Sequence, residues 1–197
     1  MNRTHPIILS FCDTARGQFP LILVIGREPN ADQAVTNEIG RYDFRCSPRC
    51  AFWNTSYSML ARVVGSTTRG LKHRCIEHCG SPIIYADALP HCIRNDVVNK
   101  HASRLKISET EVKEHVANVF SHRQLINRVQ LVVMSGLDDA VFRSARDAIG
   151  RRCEREHICA IHVPFFYGTN TTKIQAALTD DTSVKLKSIY NDFLESR

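Results

Sequence analysis

Long apolar runs are missing from this sequence, and their absence argues against a membrane protein. The 197 residues contain no apolar run near 18 residues, the length that a membrane-spanning helix requires. The early run Pro6–Leu9 is also too short for the apolar core of a signal peptide. We therefore expect a soluble intracellular protein, cytoplasmic or nuclear, with no membrane partner.

Cysteine is too sparse for a secreted disulfide scaffold. Eight cysteines are spread over 197 residues, whereas disulfide scaffolds are usually shorter and richer in cysteine, so reduced thiols are expected. The alternative is a zinc or iron–sulfur site, because three residues separate the members of two cysteine pairs, a spacing that metal sites accept. These residues are Cys46, Cys50, Cys75 and Cys79, with His73 and His78 beside the second pair.

Acidic side chains are in the minority. The net charge is +6 with a pI near 9.0, and arginine supplies 19 of the 26 basic residues. Guanidinium groups suit planar contacts to phosphate, so this charge favours a polyanionic partner such as nucleic acid. A basic, solvated surface is the alternative, and it applies equally to a late cluster comprising Arg143, Arg146, Arg151, Arg152 and Arg155.

Four apolar runs predict the strands of a parallel sheet. The run Leu21–Ile25 shows no polar alternation, which is typical of a strand that is covered on both faces. The other three runs are Ile83–Ala86, Gln130–Met134 and Ile158–Val163.

Helix signals lie between these runs. Ser108 and Glu111 form a capping box that begins a helix reaching about Phe120. Further helices are predicted over 55–64, 66–78, 138–149 and 183–194, the third of them ending at Gly150. Residues 1–20 give no clear pattern, and 30–49 is a long polar loop. The predicted fold is a single α/β domain over 1–197, with three α/β/α layers and a four-stranded, mainly parallel central sheet.

Chemically useful side chains follow the predicted strands. The carboxyl ends of parallel strands meet at one edge of a sheet, where open α/β proteins bind ligands. This edge is expected to collect Glu28, Asp87, Ser135 and His162. A carboxylate and an imidazole there suit general acid/base or water-activating chemistry. The alternative is structural, with Glu28 paired to an arginine and His162 bonded to a backbone carbonyl.

Two regions resemble motifs of the uracil-DNA glycosylase superfamily. The first region comprises Gly26–Asn30, Gly40–Phe44 and Pro48–Trp53, and it resembles the superfamily's first motif and the aromatic loop behind it. The second, His162–Tyr167, lies where that superfamily has its second motif. The resemblance implies a uracil-DNA glycosylase-like fold and the excision of a damaged or mismatched base from DNA by a monomer that uses no metal or cofactor.

The resemblance also implies roles for individual residues. Glu28 would position the attacking water and His162 would stabilise charge on the departing base. Phe44 would stack on the extruded base, a contact generally worth about 1–3 kcal/mol, and Asp87 would read its edge, with Gly26 and Pro29 completing the base pocket. The loop that contacts DNA and holds the nucleotide out would contain Pro164, Phe166, Tyr167 and Asn170. We expect Glu28, Phe44, Asp87 and His162 to line one cleft sized for a single base.

This chain departs from the superfamily at three points. Glu28 replaces an aspartate or asparagine, Asp87 replaces an asparagine, and Val163-Pro164 replaces a proline-serine pair. An ionised carboxylate cannot donate to a base carbonyl as an amide does, so hypoxanthine or another lesion joins uracil as a candidate substrate. The alternatives are a catalytically altered binding module for nucleic acid or protein, and a hydrolase of small nucleosides or nucleotides.

Overall fold

The structure, a computed structural model, describes residues 5–27, 35–44, 51–91, 107–166 and 170–196. In these ranges strands and helices alternate along much of the chain. The strands are β1 His5–Phe11, β2 Leu21–Gly26, β3 Val35–Tyr42, β4 Ile83–Asp87, β5 Val129–Ser135 and β6 Cys159–Val163. The helices are α1 Ala51–Val63, α2 Thr68–Glu77, α3 Glu109–Ser121, α4 Arg123–Ile126, α5 Arg143–Arg155, α6 Thr171–Ala176 and α7 Asp180–Glu195.

All six strands form one mixed sheet in the order β3-β1-β4-β2-β5-β6. The block β4-β2-β5-β6 is parallel throughout. Strand β1 runs antiparallel to β4 and carries β3 as its parallel neighbour. The sheet is therefore mostly parallel, with one antiparallel junction between β1 and β4.

The prediction of four strands is corrected to six. The four predicted strands are present and form the parallel block, whereas β1 and β3 were not predicted. Strand β3 is the edge strand and has the polar sequence VTNEIGRY. An edge strand needs less apolar cover than a central one, so it leaves no continuous apolar run to recognise.

The helix predictions hold in part. The capping box is present, since Ser108 Oγ accepts from the Glu111 amide and the Glu111 carboxylate accepts from the Ser108 amide. Helix α1 begins at Ala51, four residues before the predicted start. Helix α5 does not end at Gly150 as predicted but continues to Arg155. Gly150 has no positive φ, the conformation in which a glycine commonly ends a helix.

The helices flank the sheet in two groups. Helix α1 packs against α2, α6 and α7, while α3 packs against α5. The chain passes from β2 to β4 and then returns past β2 to β5 and β6. Because connections between parallel strands are right-handed, this reversal places α1 and α2 on one face of the sheet and α3 and α5 on the other. No helix in the described ranges combines the length and apolar character needed to cross a membrane.

A row of aromatic side chains fills the interface between α1 and the sheet. Trp53 stacks on Tyr42 with ring centroids 4.0 Å apart, and Phe52 packs against Tyr85 and Phe166. Further along α1, the Tyr57 hydroxyl lies 2.7 Å from Ser81 Oγ. Burial raises the pKa of Tyr57 well above its ordinary value, so this phenol is neutral and serves packing.

Candidate functional site

The carboxyl edge of the parallel block brings β2, β4, β5 and β6 together, as the sequence predicts. Gly26 pairs with Asp87, and Met134 pairs with both Ile25 and His162. Paired residues point to the same face, and successive residues point to opposite faces. Asp87 and His162 therefore lie on opposite faces, and three strand spacings separate them, about 14 Å.

Asp87 is engaged within the protein. It is buried, and its carboxylate accepts from the Tyr85 hydroxyl. Gly26 makes room for this contact, since a Cβ at Gly26 would lie 2.6 Å from the Tyr85 hydroxyl oxygen. The structure thus gives Gly26 and Asp87 a joint role in seating Tyr85, and their contact with a base remains a prediction.

His162 meets a carboxylate that the sequence reasoning did not single out. Its Nδ1 lies 3.3 Å from Asp138 Oδ1, in the loop after β5. An anion at Nδ1 favours the neutral tautomer that carries its proton there, which leaves Nε2 as an acceptor. In that state Nε2 can take a proton from water, and it can donate to a departing base only as part of an imidazolium.

Arg27 is held over the same loop. Its guanidinium pairs with Asp139 and lies 4.8 Å from the centre of the Phe142 ring and 5.5 Å from that of Phe165. Two aromatic faces and a carboxylate fix its position, because a planar cation stacks on rings while it binds an anion. A guanidinium held in place, with its charge partly offset by Asp139, thus lies at the end of β2, beside the loops that follow β5 and β6.

Three polar atoms at this end of the edge have no hydrogen-bond partner among the residues that the structure describes. They are buried and comprise Arg27 Nε, Ser144 Oγ and His162 Nε2. Buried polar groups are paired in the great majority of cases, so such atoms are candidates to bind a polar ligand. They make the β2-β5-β6 end of the edge the stronger candidate for a polar ligand site.

The loops after β5 and β6 are joined by close backbone contacts. The Gly136 amide donates to the Val163 carbonyl at 2.9 Å, and the Phe166 amide donates to Ser135 Oγ at 2.8 Å. Gly136 has φ +70°, and a Cβ there would lie 2.8 Å from Phe165 Cα. Gly136 therefore lets the loop that carries Phe165 pass directly over the end of β5.

The predicted DNA-contacting residues have mixed placements. Phe166 is fully buried, so in this conformation its side chain packs in the core and cannot contact DNA. The Asn170 amide donates to the Phe165 carbonyl at 3.0 Å and closes the loop. Pro164 is partly exposed, and Tyr167 lies outside the described residues.

Phe44 does not join the predicted cleft, and this corrects the expectation of one shared site. Strand β3, which precedes Phe44, runs parallel to β1 and antiparallel to the block that contains β4, and Tyr42 at its end pairs with Phe11. Phe11 follows Ser10, which pairs with Ile84 near the start of β4. Phe44 is buried and stacks on Phe11 with centroids 4.4 Å apart. It thus lies at the edge opposite Asp87, because the unpredicted strand β3 carries the chain across.

Glu28 and Pro29 lie outside the described residues, as do Cys46 and Cys50. Their predicted roles therefore stay predictions. Of the other cysteines in the alternative metal site, Cys75 is buried and Cys79 is exposed. Burial raises the pKa of the Cys75 thiol to about 12, which disfavours the thiolate that a metal requires. Within the described ranges, no three His, Cys, Asp or Glu side chains are grouped to hold a metal ion.

The residues of this candidate site that the sequence does not single out are Arg27, Asp138 and Asp139. A signal was present, because the strand ending at Ser135 is followed directly by Gly-Leu-Asp-Asp. Asp138 and Asp139 thus follow the carboxyl end of a buried strand, as Asp87 does at the end of β4. Asp138 was instead assigned to the start of a helix, although α5 begins only at Arg143.

Comparisons with known proteins do not assign the chain. Neither the protein-family models nor the curated proteins give a match. The resemblance to the uracil-DNA glycosylase superfamily therefore stays a prediction.

His115 gives a testable pH dependence close to this edge. Its Nε2 lies 2.8 Å from the Asp87 carbonyl oxygen, and burial lowers its pKa below the ordinary value. The unfolded chain therefore binds the proton more readily, so stability is full above about pH 6.5 and falls as the pH drops further. Carboxylates with lowered pKa, such as Glu109 and Glu156, contribute losses only at lower pH.

We expect His115→Gln to weaken this dependence, since glutamine does not titrate and can still donate to the Asp87 carbonyl. Urea unfolding at pH 7 and pH 5 measures the free energy of unfolding in both proteins. His122, whose pKa burial also lowers, remains in both and supplies a common background. An equal loss of stability between the two pH values in wild type and variant would rule out His115 as a source.

Proposed function

We propose that this protein is a DNA glycosylase-like hydrolase that flips a modified base, such as uracil or hypoxanthine, and hydrolyses its N-glycosidic bond. The observation that carries the proposal is the pairing of His162 with Asp138 at the carboxyl edge, beside the fixed cation of Arg27. The net charge of +6 supports a nucleic-acid partner.

The proposed chemistry proceeds through a sugar cation while negative charge gathers on the base. In the proposal Glu28, which follows Arg27 in sequence, orients the attacking water. His162 acts as an imidazolium that Asp138 orients at Nδ1 and that donates from Nε2 to the departing base, and Arg27, whose charge Asp139 partly offsets, lies near the developing anion. Such preorganised groups act by stabilising the transition state more than the bound substrate.

A catalytically altered binding module is the second candidate, and specific observations favour it. Asp87 is tied to Tyr85, Phe44 lies at the opposite edge, and His162 Nε2 is covered by protein. A base could reach Nε2 only if the covering residues moved. A protein with this arrangement could retain affinity for nucleic acid without excising a base.

The deciding experiment uses duplex oligonucleotides that each carry one uracil, hypoxanthine or xanthine. The duplexes are incubated with the full chain and treated with alkali, and strand scission is measured on a denaturing gel. Scission that is lost in Glu28→Gln supports the glycosylase. Retention of the duplex without scission of any of the three supports the binding module, and neither scission nor retention contradicts both.

A further inference from the structure

A recessed cavity lies between α3 and α5, on the face of the sheet away from α1. Its volume is about 240 Å³, which is several times the share of liquid volume that one water occupies, about 30 Å³. Val116, Ala117 and Ala148 give it an apolar floor.

The rim of this cavity is basic on both sides. Lys113 contributes from α3, and Arg151, Arg152 and Arg155 contribute from α5. The three arginines lie within little more than one helical turn, about 6 Å of rise. Four cations thus converge on a space that is large enough for a phosphate group.

Carboxylates balance only part of this charge, since Arg151 helps to lower the pKa of Glu109 and Arg155 helps to lower that of Glu156. Lys113 pairs with Glu109 at 2.7 Å, and Arg152 shares Glu156 with Arg123. The ion pairs found in the described part of the chain engage neither Arg151 nor Arg155. Both of these residues are exposed, so their guanidinium groups can meet an anion from solvent.

Helix capping explains only part of this arrangement. Basic side chains in the last turn of a helix complement its dipole, and Arg152 and Arg155 fit that role in α5. Lys113 lies in the first half of a different helix, where the dipole gives no reason for a cation. Lys113 also has a local role in its pair with Glu109, but the cations of two helices face one cavity, an arrangement that suits an anion.

We propose that the α3–α5 cavity binds the phosphate backbone of nucleic acid. The inference rests on nucleic acid being the partner under the proposed function, but it does not depend on base excision. The arginine fork binds phosphate oxygens in pairs, which suits a backbone that carries one anion per nucleotide. This surface is separate from the carboxyl edge, so it would hold a strand away from the site of base chemistry.

The test is a salt titration of DNA affinity with the full chain. Fluorescence anisotropy measures binding of a labelled, lesion-free duplex between 50 and 200 mM salt, about the range over which phosphate contacts weaken strongly. We expect Arg151→Gln/Arg155→Gln to lower affinity about 10- to 100-fold at low salt and to reduce the slope of log K against log salt by about 2. Lys113→Gln should reduce the slope by about 1.

The matched control is Arg16→Gln/Arg62→Gln, which removes the same charge from two exposed arginines outside the cavity. It should leave the slope close to that of wild type. Equal losses in both double variants, no loss in the cavity variant, or no wild-type binding would overturn the proposal. Binding of inorganic pyrophosphate with no binding of the duplex would overturn it in favour of a small-anion site.

Excision is scored separately, with protein in excess over lesion-bearing duplex. Absence of excision together with loss of binding in the cavity variant contradicts the glycosylase and supports the phosphate site. Excision by wild type, together with an unchanged salt slope in the cavity variant, supports the glycosylase and contradicts the phosphate site. Thermal unfolding of each variant confirms that the comparison is made on folded protein.

Discussion

Replacement of His162 by alanine is expected to slow excision of a modified base about 10²- to 10³-fold. That factor is typical for the loss of one preorganised group that stabilises transition-state charge. The expectation follows from the place of His162, whose imidazole pairs with Asp138 at the end of the parallel block. Single-turnover scission of the lesion-bearing duplex that wild type cleaves best measures the effect.

Two further variants serve as a control for His162→Ala and as a test of the role of Asp138. His73→Ala removes an exposed imidazole from α2 and should leave the rate unchanged. Asp138→Asn keeps the size of the side chain but removes its charge, and we expect a smaller loss, about tenfold, because Asp138 orients the ring rather than touching the base. A His162→Ala rate within twofold of wild type would remove His162 from the mechanism.

Gly136→Ala is expected to destabilise the fold by about 2–5 kcal/mol. A non-glycine residue in the left-handed region costs about 1–2 kcal/mol, and Gly136 has φ +70°. Its new methyl group would also lie 2.5 Å from Phe165 Cβ and 2.8 Å from Phe165 Cα. Overpacking of this kind adds about 1–3 kcal/mol. Equilibrium urea unfolding measures the difference.

Gly65→Ala is the natural control. Gly65 has nearly the same backbone conformation, φ +67°, but nothing lies within 4 Å of the position its Cβ would take. It should therefore show only the conformational cost, about 1–2 kcal/mol. The gap between the two variants measures the contact with Phe165. If both variants lost the same stability, the loop after β6 would not press on Gly136 as described.

The sequence predicted the parallel block because continuous apolar runs such as Leu21–Ile25 occur when a strand is covered on both faces. It also predicted the carboxyl edge, because parallel strands all end at the same edge and the residues that follow them meet there. Strand β3 escaped prediction because an edge strand needs little apolar cover. That single omission also misplaced Phe44, whose position depends on which way the preceding segment crosses the sheet.

Side-chain partnerships were harder to predict than strand positions. The pairing of His162 with Asp138 joins residues 24 positions apart, and it depends on a loop turn at Gly136 that no periodicity encodes. The seating of Tyr85 against Gly26 similarly depends on sheet register. Motif comparison treated Gly26 and Asp87 as ligand-binding positions, whereas the packing around them supplies a structural reason for both.

The stacked pair of Trp53 and Tyr42 has a practical consequence for spectroscopy. Trp53 is the only tryptophan in the chain, it is buried, and Tyr57 and Tyr85 lie within 6.3 Å and 5.8 Å of its ring. Intrinsic emission from this protein therefore comes from one indole on α1, which packs against Tyr42 of β3 and Tyr85 of β4 and receives excitation energy from nearby phenols. A change in its wavelength or quenching reports on how α1 sits against the sheet, with no added label.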